Sequence, residues 1–211
     1  MRTLAGISSL LFQGDSITDS GRKDSPDGLG WGYVSIIAGA LAAKNRYAGL
    51  RVLNRGVGGD RTAELLARWD EDCVALKPEA LSLMVGVNDV WRLRGEWNGQ
   101  AHIPPGIFKA NYEALVDRAL ASGVKRLILM SPTTIENEKD GELSSLLDEE
   151  AAIVRGIAER TKAVYVPARE EQKRVISERK DFLWTVDGCH PSLAGHALIA
   201  LTWLKATGAL R

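Results

Sequence analysis

The sequence predicts an α/β fold: a three-layer α/β/α sandwich with a parallel sheet as its middle layer. Three observations carry this expectation. Five apolar segments of strand length recur along the 211 residues. Stretches with apolar residues on one helical face separate them. The chain shows no internal repeat, low-complexity tract or change of composition, so residues 1–211 read as a single domain.

The first strand reads over Ser9 to Gln13 and runs into Gly14-Asp15-Ser16-Ile17-Thr18. A helix over Gly32 to Lys44 follows, then a strand over Arg51 to Asn54 that gives way to Arg55-Gly56-Val57-Gly58-Gly59-Asp60. Thr62 to Leu76 has the helical period, Ala80 to Val85 reads as a buried strand, and Gly86-Val87-Asn88-Asp89 follows it. Arg92 to Gly106 is a long connection holding Trp97, His102, Pro104 and Pro105, and loops of that length in compact domains tend to be functional. A helix over Ile107 to Ser122, a strand over Arg126 to Met130, a helix over Glu142 to Arg160 and a strand over Ala163 to Val166 complete the alternation. The last helix is expected over Leu193 to Lys205, entered through His190-Pro191-Ser192 and stopped near Gly208.

Lys and Arg total 27, and Asp and Glu total 27, with no long run of either sign. That balance argues against nucleic acid or an anionic membrane as the partner and favours a small molecule. No apolar run reaches the ~20 residues of a membrane-spanning helix, so a soluble chain is expected. Leu10 to Phe12 superficially have the apolar character of a secretion signal, but they run straight into the first strand's turn, so the expected location is cytoplasmic. Cys73 and Cys189 stand far apart, outside any metal or redox motif, and read as reduced, buried thiols. No cofactor or metal is implied. Sequence sets no oligomeric state and leaves room for a homo-oligomer.

Open parallel sheets bind ligands beyond the carboxyl ends of their strands, so the residues after each strand are the informative ones. Here they offer a hydroxyl at Ser16, a glycine-rich backbone over Asn54 to Asp60 and a side-chain amide at Asn88. Those are the parts of an acyl-transfer site: a nucleophile, and hydrogen-bond donors for the oxygen that becomes negative. A base must come from His102, His190 or His196. His190 stands out because Asp187 precedes it by three residues and can orient one ring nitrogen while the other takes the serine proton. His196 lies inside the expected last helix and reads as a packing residue, and His102 as a surface residue or substrate contact. The chain order Ser, Asp, His is that of α/β hydrolases, yet their G-x-S-x-G elbow is absent.

The blocks GDSIT, GGD, GVND and DGCHP fall in one order along nearly the whole chain, and in that order they resemble the SGNH, or GDSL, hydrolases. The resemblance implies a flavodoxin-like, five-stranded parallel sheet of order 2-1-3-4-5, which the alternation of elements does not itself give. It implies Ser16 as nucleophile, His190 as general base and Asp187 as its orienting acid. The Ser16 amide, the Gly59 amide and the Asn88 side chain would be the oxyanion donors. Within the family, GDSITDSGR, LGWGYV, ARWDEDC and GVNDVWR look most like the bacterial branch that includes intracellular acetyl xylan esterases.

The expected activity is therefore a serine esterase that removes short acyl groups, acetyl foremost, from a carbohydrate. Trp91 and Trp184, each three residues from a site block, offer flat faces suited to sugar rings, or else fill the core beneath the rim. Trp31 and Trp97 carry the same ambiguity. Asp15 either fixes the serine turn by accepting loop amides or touches substrate. Asp60 and Asp89 read as caps, and Cys189 as a small packed residue. The rival readings are a lipase, lysophospholipase or thioesterase using the same machinery, and a noncatalytic sugar-binding domain, against which the full set of Ser16, Asn88, Asp187 and His190 argues.

Overall fold

The computed structural model describes residues 4–95, 99–135 and 141–210. Five strands form its sheet: β1 (Ser9–Gly14), β2 (Arg51–Asn54), β3 (Ala80–Met84), β4 (Arg126–Met130) and β5 (Val164–Val166). All neighbours pair in parallel, in the order β2-β1-β3-β4-β5. The sheet order implied by the family resemblance is the one observed. β1 and β3 are buried throughout, as strands covered on both faces must be, whereas β2 at the edge exposes Arg51.

The helices are α1 (Ser16–Asp19), α2 (Tyr33–Ala42), α3 (Thr62–Ala67), α4 (Val87–Trp91), α5 (Pro105–Ala121), α6 (Gly141–Thr161), α7 (Ala168–Glu178) and α8 (Leu193–Ala206). Alternate strand residues point to opposite faces. Leu10 and Phe12 therefore join Tyr33, Ile37 and Trp203 from α2 and α8 in one core, while Leu11 joins Leu65, Phe108, Tyr112 and Ile157 from α3, α5 and α6 in the other. These two cores are the contacts between the three layers. No described helix is long and apolar enough to cross a membrane.

Short helices α1 and α4 stand where the sequence reads only strand-end turns, and two further elements differ from the sequence expectation. The helix expected over Thr62 to Leu76 stops at Ala67, and Asp70–Val74 continue as a π-helical turn. The Arg68 side chain lies at the break, with its guanidinium engaged by groups outside the helix. Helix α7 had no sequence counterpart, because the residues it buries are Ala168, Arg169 and Gln172 rather than an apolar stripe. Arg169 is fully buried and donates to Asp148 Oδ1 at 2.8 Å, to Thr134 Oγ1 at 2.9 Å and to the Ser144 carbonyl at 2.9 Å.

One buried group on α6 is an outlier. Both carboxyl oxygens of Glu150 lie in the interior without a hydrogen-bond partner, and burial, then the nearby Asp89 charge, pushes the carboxyl well above its usual range. Such a group holds its proton more tightly in the fold than in the unfolded chain. Its contribution is least unfavourable below the unfolded pKa, and the cost grows as pH rises through the window above it. Glu150→Met, similar in volume and without orphaned oxygens, is expected to raise stability by about 1–3 kcal/mol. The gain in denaturant or thermal unfolding should be larger at pH 8 than at pH 4; a loss of stability at both would contradict this reading.

Candidate active site

The turn after β1 is dictated by contact. A Cβ on Gly14 would stand 2.2 Å from the Met84 carbonyl oxygen and 2.3 Å from Thr18 Oγ1, so only glycine fits. Asp15 then caps α1, accepting a hydrogen bond from the Ile17 N–H at 2.9 Å. This leaves Ser16 as the first helical residue, at the carboxyl end of β1. Its hydroxyl lies 3.0 Å from His190 Nε2.

His190 arrives from the other end of the chain on a tight loop. The Val186 N–H donates to the His190 carbonyl at 2.8 Å, and the Ser192 N–H to the Trp184 carbonyl at 2.9 Å, so residues 184–192 fold back on themselves. Asp187 sits at the tip of that loop. Its Oδ1 accepts from the main-chain N–H groups of His190 at 2.7 Å and Cys189 at 3.0 Å, while Oδ2 lies 2.7 Å from His190 Nδ1. With Asp187 as acceptor, the network assigns the imidazole proton to Nδ1 and leaves Nε2 free to accept from Ser16. Partial burial alone would raise the Asp187 carboxyl, but the hydrogen bonds from His190 and Cys189 outweigh it and hold the pKa at about 2.

Two more loops complete the rim. Gly59 adopts φ +83°, the left-handed region that favours glycine. Its carbonyl is held from behind by Arg92 Nη2 at 3.2 Å. Asn88, on α4, donates one amide hydrogen to the Asp60 carbonyl at 3.0 Å, which tethers the third loop to the second. Asp60 is itself paired with Arg68 Nε at 2.6 Å. Asn54 links the second loop to the first by donating to the carbonyls of Thr18 at 2.7 Å and Leu29 at 2.8 Å.

Ser16, Gly58, Gly59, Asn88, Asp187 and His190 all border one cavity of about 820 Å³. Trp91, Arg92 and Arg94 border it too. Five of these lining residues, Ser16, Gly59, Asn88, Asp187 and His190, are the catalytic candidates of the sequence, and Trp91 combines its two readings, bordering the cavity while packing in part against the core. Trp184 is not among the lining residues: it lies on the stem of the loop, with its indole N–H donating to the Arg179 carbonyl at 2.8 Å and its ring beside Phe182. Asp15 is 2 % exposed, and its carboxylate serves the turn rather than the cavity. Burial pushes it up to about 7, against the opposing pull of the Ile17 N–H and the His190 charge.

The remaining candidates lie around the site. Asp89 is buried and accepts from the Thr62 N–H with both oxygens at 3.1 Å, so it caps α3. His196 is buried, accepts from the Tyr33 N–H at 3.2 Å, and is lowered by burial, then by the His190 charge, to about 4. His102 Nδ1 lies 2.8 Å from the Asp89 carbonyl, away from the cavity lining. Burial raises the Cys189 thiol to about 12, so it is no thiolate nucleophile. Trp31 is 63 % exposed and is not among the described residues lining the cavity at Ser16, and Trp97 lies outside the described residues. Sequence reasoning missed Arg68, Arg92 and Arg94, which stand in stretches with the look of ordinary helix or loop charge.

Residues 12–198 match the GDSL-like lipase/acylhydrolase family. The chain belongs to that family. An acetylxylan esterase of Geobacillus stearothermophilus is 36 % identical over 206 residues, spanning 94 % of this chain and 93 % of the relative. The solved structure of the acetylxylan esterase Axe2 from the same organism superposes with a TM-score of 0.86 at 36 % identity, covering 99 % of this chain and 97 % of Axe2. An α/β-hydrolase enzyme from the metagenome of Lake Arreo, Spain, gives 0.87 at 34 % identity, covering 98 % and 97 %. The Axe2 structures include catalytic mutants in which an aspartate, a serine or a histidine is replaced by alanine.

If Asp15 acts as a cap, Asp15→Asn should keep an acceptor for the Ile17 N–H and cost little stability, whereas Asp15→Ala should cost about 1 kcal/mol. Equal thermal stability of the two variants would contradict that role. Arg68→Lys should lower both stability and kcat, because an ammonium cannot serve the several acceptors that a planar guanidinium reaches at once. Wild-type kcat and melting temperature in this variant would contradict it.

Proposed function

We propose that the protein is a serine esterase that removes short acyl groups, acetyl foremost, from acetylated carbohydrates, working as one hydrolase domain. The observation that carries the reading is the hydrogen-bonded chain Ser16–His190–Asp187, opening onto a cavity bordered by Gly59 and Asn88.

In this reading Ser16 Oγ attacks the ester carbonyl carbon as its proton passes to His190 Nε2. The carbonyl electron pair moves to oxygen, where three donors converge: the Ser16 N–H, the Gly59 N–H and the second amide hydrogen of Asn88. The first amide hydrogen of Asn88 is spent on the Asp60 carbonyl, which fixes the direction of the second. Collapse breaks the ester C–O bond, and the sugar hydroxyl leaves with the proton from His190. Water then attacks the acyl-serine, giving its proton to His190 Nε2, and the second collapse releases the carboxylic acid and returns the proton to Ser16. Asp187, held at about 2, stays ionised throughout and supports the imidazolium between proton transfers.

The carbohydrate assignment is supported by similarity to Axe2, an acetylxylan esterase, and by Trp91 and Arg94 at the cavity. A cytoplasmic location belongs to the same proposal and is supported by Cys73 and Cys189, both free and buried.

Ser16→Ala is expected to lower kcat on 4-nitrophenyl acetate by about 10⁴-fold or more, with His190→Ala similar. Asn88→Ala should cost roughly 10² to 10³ in kcat with KM little changed, as for loss of one oxyanion donor. Near-normal turnover by Ser16→Ala would overturn the mechanism. On the wild-type protein, acetylated xylo-oligosaccharides should give higher kcat/KM than octanoyl esters; the reverse order would remove the carbohydrate assignment and keep the esterase.

A further inference from the structure

A second cavity, of about 410 Å³, lies beside the one that holds Ser16. Trp91, Arg94 and Asp187 border both, so these residues form a shared wall. Its other sides include Ile135, Leu183 and Val186. Both volumes fall in the ~300–1,000 Å³ range of small-molecule sites.

The chemistry of this second cavity is mixed in a particular way. Leu183 is 68 % exposed and Val186 65 % exposed, although they flank the loop tip that hydrogen bonds hold in place. Arg94 lies with its guanidinium carbon 5.3 Å from the centroid of the Trp91 ring, and it has no hydrogen-bond or ion-pair partner among the described residues. The wall between the cavities thus presents unused N–H donors above an aromatic face, and the far side presents aliphatic groups to water. A pyranose ring has the complementary surface: apolar C–H faces and hydroxyls around its edge. An acyl chain does not, since it would have to desolvate Arg94 and Asp187 without giving them a hydrogen bond.

We propose that the second cavity is a subsite for the sugar residue next to the acetylated one, with Arg94 donating to its hydroxyls and Leu183 and Val186 covering its C–H face. The proposal rests on the carbohydrate esterase reading above and makes the enzyme selective for acetylated oligosaccharides over acetylated monosaccharides. The acetylated sugar occupies the cavity at Ser16, and the chain passes Trp91 into the neighbouring one.

The test compares kcat/KM on acetylated xylose, acetylated xylotetraose and 4-nitrophenyl acetate for wild type, Arg94→Met and Leu183→Ser. Wild type should favour the tetrasaccharide over the monosaccharide by about tenfold or more, the scale of one hydrogen bond to a charged group. Arg94→Met should reduce that ratio by about tenfold and Leu183→Ser by several-fold, each ratio being read within one variant so that effects on the shared cavity cancel. Calorimetry with unacetylated xylotetraose on Ser16→Ala protein should show binding that Leu183→Ser weakens. Equal kcat/KM for the two acetylated sugars, both being hydrolysed, would overturn the subsite and leave the esterase reading intact. Turnover of 4-nitrophenyl acetate with neither sugar hydrolysed would remove the carbohydrate reading, and the subsite with it. A larger effect of Leu183→Ser on octanoyl than on sugar esters would reassign the cavity to an acyl chain and overturn the subsite.

Discussion

The guanidinium of Arg68 is the interaction on which the front of this molecule depends. It donates to Asp60 Oδ2 at 2.6 Å, Gln13 Oε1 at 3.1 Å, the Arg55 carbonyl at 2.8 Å, Asp72 Oδ2 at 2.9 Å and the Gly14 carbonyl at 3.2 Å. Those acceptors lie at the end of β1, along the loop after β2 and in the π-helical turn. The Gly14 carbonyl also accepts from the Val57 N–H at 3.1 Å, so the loop after β2 runs beside the end of β1, and Ser16 and Gly59 border one cavity. The planar Arg68 fork reinforces that contact by reaching both segments at once. Its cost is local: α3 cannot continue through Arg68 in register, and the chain passes through the wider π turn instead.

Behind this clamp the molecule carries an acidic floor beneath a solvent-facing site. Asp15 and Asp89 are buried, and burial raises both to about 7 against the hydrogen bonds each receives. Asp187 and His190 are about half exposed in their side chains. The two environments divide the labour. Asp15 and Asp89 shape turns and helix starts, where a fixed acceptor matters and charge is a liability. Asp187 keeps its charge because three hydrogen bonds from one short loop converge on it. A carboxylate held in this way needs no burial to be oriented, which lets the loop tip remain at the surface and border both cavities.

How far the sequence could be read follows from the same physics. The strands were legible because each is a short apolar run with little alternative, and the long helices because their apolar faces repeat at helical period. Three of the site blocks were legible because each follows a strand end, where an open sheet collects its functional groups, and the fourth because Asp187 stands three residues before His190. Helix α7 was not, since what it buries is an arginine and a glutamine, and polar burial leaves no periodic signal. Nor was Arg68, whose acceptors are mostly main-chain oxygens and acids up to 55 residues away in sequence. Trp184 fell the wrong way because proximity along the chain does not fix direction. The turn at residues 184–192 sends the tip toward Ser16 and leaves the Trp184 ring on the stem, against Phe182.

The two sides of the site consequently differ in what they can vary. The side formed by Gly14, Ser16, Gly59 and Asn88 is built from strand ends, close backbone approaches and carbonyls already engaged, so a side chain at Gly14 has no room and the loops are tied to one another. The opposite side, formed by residues 183–188 with Trp91 and Arg94, carries Leu183 and Val186 exposed and Arg94 over the Trp91 ring, while Thr185 is buried and Trp91 packs in part against the core. The proposed chemistry, attack on the carbonyl and the holding of an oxyanion, draws on the first side. In the proposed subsite, discrimination among alcohol groups draws on the second, where Leu183, Val186 and Arg94 line the neighbouring cavity and stand apart from the proposed oxyanion donors.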